Sequence, residues 1–213
     1  MKKLLTILLI VSLAFCAVSL TACGSKDTKE PVYTVTETEY LAIKSKISSH
    51  KNFIDGNFTV TINIGNNVYV NKFADGKFDG YIQGDHYVIV FDTSTYDATA
   101  KTANAYGYYY DEDDEKWYRT PEETENLDLY YSFIIPFTEY FPDTFEELYY
   151  NADKREYSAS VTVLDGTFSF KAQFKDGNLL SYTLIADEFH MTCEFSDYGT
   201  TTVTPPTEYE EDN

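Results

Sequence analysis

The chain has 213 residues, of which 35 are Asp or Glu and 16 are Lys or Arg, so its formal net charge is −19 at pH 7. This length allows one domain with a sizeable hydrophobic core. The acidity excludes nucleic acid as a natural partner, because phosphates attract Lys and Arg, and it excludes adsorption to an anionic bilayer by charge alone.

The first 23 residues resemble a bacterial lipoprotein signal peptide. Lys2 and Lys3 precede an apolar run that ends in the lipobox Leu20-Thr21-Ala22-Cys23. By this resemblance, residues 1–22 are removed and Cys23 is acylated as the mature N-terminus. An uncleaved membrane anchor is the alternative, since the run is just long enough to span a bilayer. In both cases the lysines stay inside and the rest is exported, which predicts an extracytoplasmic protein held to a cell or outer membrane by the lipid on Cys23.

Residues 23–36 show no apolar period and are predicted to be a flexible tether behind the acylated cysteine. Glu37 to Ser49 is the first predicted helix, because Tyr40, Ile43 and Ile47 recur at helical spacing.

Strand patterns follow this helix. Phe58, Val60, Ile62 and Ile64 alternate with polar residues, which is the period of a half-buried strand. Three Asp-Gly pairs separate such runs, and Asp-Gly is a strong signal for a two-residue hairpin turn. The predicted strands are 58–64, 68–70, 78–83, 86–91, 157–164, 167–174, 178–186 and 189–195.

A different pattern separates the two blocks of strands. Glu125 to Glu139 carries one apolar stripe and predicts a central helix that Pro136 ends. Phe145 to Tyr150 fits either a second helix capped by Asp143 or a strand that pairs with Glu156 onward. We favour the strand, because the residues after Glu156 are clearly extended.

The element order predicts an α+β protein that is mainly antiparallel β. Its pattern over residues 37–206 resembles the LolA/LppX-type lipoproteins. Two segments carry the likeness: a mid-chain hairpin of Tyr108-Tyr109-Tyr110 and Lys116-Trp117-Tyr118, and the ending Phe195-Ser196-Asp197-Tyr198-Gly199. The resemblance implies a curved meander sheet, an unclosed β-half-barrel, with helices on its concave face and a cavity for acyl chains. It supplies no catalytic residues. The last residues, 207–213, are predicted to be an acidic disordered tail.

We therefore expect an apolar groove between sheet and helices that holds a lipid or the acyl chain of a lipoprotein. Its candidate ligand-binding residues are Val60, Ile62, Ile64, Phe133 and Phe137. An ordinary closed core made of the same residues is the alternative.

Motifs for catalysis are absent from the sequence. There is no Gly-x-Ser-x-Gly elbow or phosphate-binding glycine loop, and His50, His86 and His190 have no zinc-type spacing. The acidic run Asp111 to Glu115 could hold Ca²⁺, but its place between aromatic runs favours a solvated hairpin turn. Alternation places Cys193 on the same strand face as Phe189, Met191 and Phe195, so it is predicted to lie in the core. We expect a non-enzymatic monomer without a metal or cofactor.

Aromatic residues suggest an alternative function. The protein would then be an interaction module of the cell envelope that binds polysaccharide or a protein partner through an aromatic, acidic surface. The residues behind this alternative are Tyr108, Tyr109, Tyr110, Trp117, Tyr118, Tyr130, Tyr131, Tyr149 and Tyr150.

Overall fold

The computed structural model describes residues 32–49, 56–82, 84–127, 141–163, 166–187 and 189–212. The predicted signal peptide with Cys23, most of the tether, and the central helix beyond Leu127 with Phe133 and Phe137 lie outside these residues.

Fourteen strands and one α-helix make up the described regular structure. Helix α1 spans Glu37–Ser49, as the apolar spacing predicts. The strands are β1 (Val32–Thr34), β2 (Phe58–Ile64), β3 (Asn67–Ala74), β4 (Lys77–Ile82), β5 (Asp85–Phe91), β6 (Thr102–Asp111), β7 (Lys116–Arg119), β8 (Glu123–Asn126), β9 (Tyr149–Asn151), β10 (Glu156–Val163), β11 (Gly166–Lys175), β12 (Asn178–Ala186), β13 (Phe189–Ser196) and β14 (Glu210–Glu211).

All strands belong to one curved, unclosed sheet, which confirms the predicted half-barrel. Its order is β1-β9-β10-β11-β12-β13-β2-β3-β4-β5-β6-β7-β14, and β8 pairs with β6 off this path. The two predicted meanders join where β13 pairs antiparallel with β2. This pairing makes one continuous wall from segments that lie more than a hundred residues apart.

The Asp-Gly turns that lie within the described residues have the backbone that the hairpin requires. Asp75 and Gly76 both have positive φ, of 52° and 70°, between β3 and β4. Asp176 and Gly177, with φ of 51° and 88°, do the same between β11 and β12. Positive φ at both central residues is the mark of a type I′ turn, so these two predictions are confirmed.

Alternation divides the sheet into two faces. The main hydrophobic core lies on the face that carries Val60, Ile62, Phe170 and Cys193, and we call this the inner face. Tyr40 and Ile43 of α1 belong to the same core, so the helix packs on the inner face. The predicted burial of Cys193 is confirmed.

The opposite, outer face is partly covered by the C-terminal segment. Val203 packs with Ala74, Val88 and Tyr108 in a second hydrophobic cluster. Thr201 also lies 3.0 Å from Thr59, oxygen to oxygen. The chain therefore crosses the outer face after β13 instead of leaving the domain.

Short parts of the expected tether and of the expected tail pair with the sheet. Val32–Thr34 of the expected tether pairs with β9. Glu210–Glu211 of the expected disordered tail lies parallel to β7. The tail is held because Tyr209 packs edge-on against Tyr108, 5.1 Å between ring centroids, whereas its composition alone indicates only charge.

The segment after the central region is a strand after one short turn. Phe145–Glu147 forms a single 3-10 turn that follows Thr144. Tyr149–Asn151 then pairs antiparallel with Glu156–Ser158. The strand interpretation is confirmed only from Tyr149 onward; it is wrong for Phe145–Glu147, which forms the 3-10 turn, and the helix capped by Asp143 is wrong.

Candidate ligand-binding cleft along helix α1

Helix α1 begins with a complete capping box. The backbone N–H of Thr36 donates to Glu39 Oε2 at 2.9 Å, and the N–H of Glu39 donates to Thr36 Oγ1 at 3.3 Å. These bonds satisfy two backbone donors that a helix start otherwise leaves open. The backbone hydrogen bond from Thr36 also lowers the pKa of Glu39, so the box stays ionised at neutral pH. The box therefore fixes where the helix begins, while its stability depends on packing against the sheet.

Packing on the sheet depends on few side chains. Among residues 37–46, only Tyr40 and Ile43 are buried. The Tyr40 hydroxyl lies 2.8 Å from both the Pro142 and the Asp143 carbonyl oxygens, to which it donates. Its ring stacks on Phe141, with 5.4 Å between the centroids. Tyr40 therefore ties the first half of the helix to the segment that enters β9.

A hollow lies on each side of the helix. The larger one, about 320 Å³, separates the first turns of α1 from residues 143–146. Its lining residues are Glu37, Tyr40, Leu41, Asp143, Thr144, Phe145 and Glu146. The smaller one, about 150 Å³, separates α1 from β10 and β11. Its lining residues are Glu39, Ala42, Ile43, Lys46, Tyr157 and Phe174.

The two hollows differ in chemistry. The larger one combines Leu41, an exposed apolar residue, with a rim of three carboxylates. The smaller one has an apolar floor of Ile43, Tyr157 and Phe174. Tyr157 and Phe174 pack edge to face, 5.8 Å between centroids, and burial raises the pKa of Tyr157. An aliphatic chain suits this floor.

The candidate residues of β2 lie on the inner face, but they differ in access. Val60 and Ile62 are fully buried in the main core. Ile64, on the same face near the end of the strand, is 37 % exposed. Of the three, Ile64 alone is within reach of a ligand in this structure. Sequence reasoning missed the residues along α1, although alternation in β10 and β11 already places Tyr157 and Phe174 on the inner face.

The acidic run between β6 and β7 forms a hairpin tip, as predicted. The Asp111 carboxylate accepts the backbone N–H groups of Asp113 and Asp114, at 2.9 and 3.1 Å. The Tyr118 hydroxyl donates to Asp114 at 2.8 Å, and this hydrogen bond raises the pKa of Tyr118 to about 12. The carboxylates of Asp111 and Asp114 are thus engaged within the turn. No group of three or more His, Cys, Asp or Glu residues in the described part of the chain is arranged to hold a metal ion.

Comparison with known proteins adds only a weak likeness. No protein-family model matches the sequence, and no curated protein matches it either. Among solved structures, LprF from Mycobacterium bovis is similar, at 10 % identity over 82 % of this chain and 99 % of that one, with a TM-score of 0.39. At this identity and TM-score, the likeness carries no argument about ligand or activity. Across the described residues, no helix has the length and hydrophobicity that crossing a bilayer requires.

Proposed function

We propose that this chain is a non-enzymatic lipoprotein, held outside the cytoplasm by acyl chains on Cys23, that carries a lipid or lipoprotein acyl chain beside helix α1. The supporting observation is how this helix is attached. Over residues 37–46 it lies on an apolar wall through two buried side chains, and it leaves a hollow on each side.

A comparison of burial free energies favours a helix that a ligand can displace. Burial of Tyr40 and Ile43 contributes about 1.5–3 kcal/mol each, so their burial attaches residues 37–46 of α1 by roughly 3–6 kcal/mol. An acyl chain gains about 0.8 kcal/mol per buried methylene, so ten methylenes supply about 8 kcal/mol. The acyl chain therefore gains enough to widen the smaller hollow by moving residues 37–46 of the helix away from the sheet.

Thermal unfolding of the mature chain, residues 23–213 with Cys23→Ser, tests this proposal. Palmitate at a hundredfold excess over its Kd adds about 2.7 kcal/mol of stability. For a domain of this size, that raises Tm by about 5–11 °C. Native mass spectrometry of the same sample should show one bound chain.

A pair of matched variants locates the site. Ala42→Trp fills the smaller hollow and should abolish the palmitate-induced rise in Tm. Ser45→Trp adds the same side chain to the same helix at an exposed position outside both hollows, and should leave the rise unchanged. An unaltered rise in Ala42→Trp, or no rise in the parent chain with palmitate or phosphatidylglycerol, would refute the carrier.

A further inference from the structure

Four rings line up across strands β4 to β7 on the outer face, and we call them the outer aromatic row: Tyr81, His86, Tyr110 and Trp117. The register brings Tyr81 opposite His86, and Tyr110 opposite Trp117. His86 stacks on Tyr81 at 5.0 Å between ring centroids and meets Trp117 edge-on at 4.8 Å. Trp117 lies 5.4 Å from Tyr110. The contacts form one continuous row in the order Tyr81, His86, Trp117 and Tyr110.

A fixed polar group borders the row. His86 Nε2 lies 2.8 Å from Asp79 Oδ1, and Lys72 Nζ lies 3.3 Å from Asp79 Oδ2. Burial raises the pKa of Asp79, but the hydrogen bonds and charges of His86 and Lys72 outweigh burial and hold it below its ordinary value. The carboxylate is therefore ionised and compensated by its partners. A ligand meets hydrogen-bond donors and acceptors here without an uncompensated charge.

This part of the outer face is open. The C-terminal segment covers Ala74, Val88 and Tyr108, and Trp117 packs at the margin of that cluster. Tyr81 remains 45 % exposed although His86 covers one side of its ring. Val68 and Val70 extend the apolar surface on the same face of β3, with exposures of 63 % and 38 %. An exposed apolar patch of this kind marks a binding surface.

We infer that the outer aromatic row binds the pyranose rings of a neutral polysaccharide. A pyranose has an apolar C–H face that packs on an aromatic ring, and hydroxyls at its edge that pair with the Asp79–His86–Lys72 group. A lipid tail needs no such polar border. Anionic polymers and anionic bilayers are repelled by the Asp111–Glu115 hairpin tip, which adjoins Tyr110, and by the net charge of −19. This site lies on the face opposite α1 and is independent of the acyl-carrier proposal.

Trp117 is the single tryptophan of the chain, so its fluorescence reports on the row directly. We expect cellohexaose or chitohexaose to change the Trp117 emission of the mature chain saturably, at millimolar concentration or below. Hexagalacturonate has similar rings but carries carboxylates, and should bind at least about tenfold more weakly, a difference of about 1.4 kcal/mol. Palmitate should leave this signal unchanged.

Variants that keep Trp117 distinguish a loss of ring stacking on the sugar from a loss of folding. Tyr81→Ala should weaken cellohexaose or chitohexaose binding about tenfold or more. Tyr81→Phe keeps the aromatic ring and the fold of the parent chain, so it should bind these sugars as the parent does. Tyr33→Ala removes a 59 % exposed tyrosine from β1, far along the sheet order, and should change nothing. The inference is overturned by no saturable change with either neutral sugar, by equal loss in Tyr33→Ala, or by a Trp117 response to phosphatidylglycerol vesicles that exceeds the response to sugars.

Discussion

Removal of the Tyr209 ring tests whether aromatic packing or charge holds the C-terminal tail. Tyr209 meets Tyr108 edge-on at 5.1 Å, and the Arg119 guanidinium lies 5.9 Å from its centroid. Two ion pairs accompany these contacts, one between Lys116 and Glu210 and one between Arg119 and Glu211. Composition favours charge as the cause of the attachment, whereas the geometry favours the ring.

The magnitudes decide between these contributions. Tyr209 is 40 % exposed and therefore about 60 % covered. On a side chain of about 200 Å², this removes about 120 Å² from water, which is worth up to about 3 kcal/mol. Ordering the ring costs about 1 kcal/mol, so about 2 kcal/mol remains. Exposed ion pairs contribute about 0–1 kcal/mol each.

Urea unfolding followed by circular dichroism measures this difference. We expect Tyr209→Ala to lower the free energy of unfolding by about 2 kcal/mol, and Glu210→Gln to lower it by less than about 0.5 kcal/mol. Raising the salt concentration should barely change the loss in Tyr209→Ala, because apolar burial is not screened. The reasoning is refuted if Tyr209→Ala is as stable as the parent, or if Glu210→Gln costs as much as Tyr209→Ala.

Three further predictions concern residues on the inner and outer faces of the sheet. Gly80→Ala should destabilise by about 1–3 kcal/mol in urea unfolding, because its Cβ would lie 2.2 Å from Asn71 Oδ1, whereas Gly107→Ala, whose nearest such neighbour is 3.5 Å away, should cost much less. The pKa of Asp79 lies below its ordinary value, so the stability advantage of the parent over Asp79→Asn should be full above about pH 5 and vanish as pH falls through the lowered pKa in an acid titration of Tm. Burial raises the pKa of the Cys193 thiol to about 12, so it should resist a disulfide reagent at pH 8 until urea unfolds the chain; rapid labelling of folded protein would contradict this.

Local structure followed from the sequence wherever neighbours along the chain decide it. Helix α1 has the predicted bounds, because its apolar spacing and the Thr36 cap act within a few residues. The Asp75-Gly76 hairpin turn is equally local, since the backbone preference of two residues is enough to form it. The alternation in β2 correctly placed Val60 and Ile62 on one face.

The candidate sites could be predicted from the sequence only in part. The inner-face residues of β2 were predicted, but their access to a ligand was not, since the exposure of Ile64 depends on what packs beside it. The outer aromatic row was partly visible in Tyr110 and Trp117. Its other half was missed, because Tyr81 and His86 meet them only through the pairing of β5 with β6.

By itself, the sequence determined the chemistry available along the chain: a cysteine after an apolar run, a capped helix, alternating strands and an excess of acid. The tertiary structure alone decided that β13 pairs with β2, that the tail returns to β7, and that Tyr81, His86 and Trp117 form one row. The physical reason is the separation along the chain over which each interaction acts. Turns and caps depend on backbone preferences within a few residues, whereas pairing of distant strands depends on burying a whole face at once.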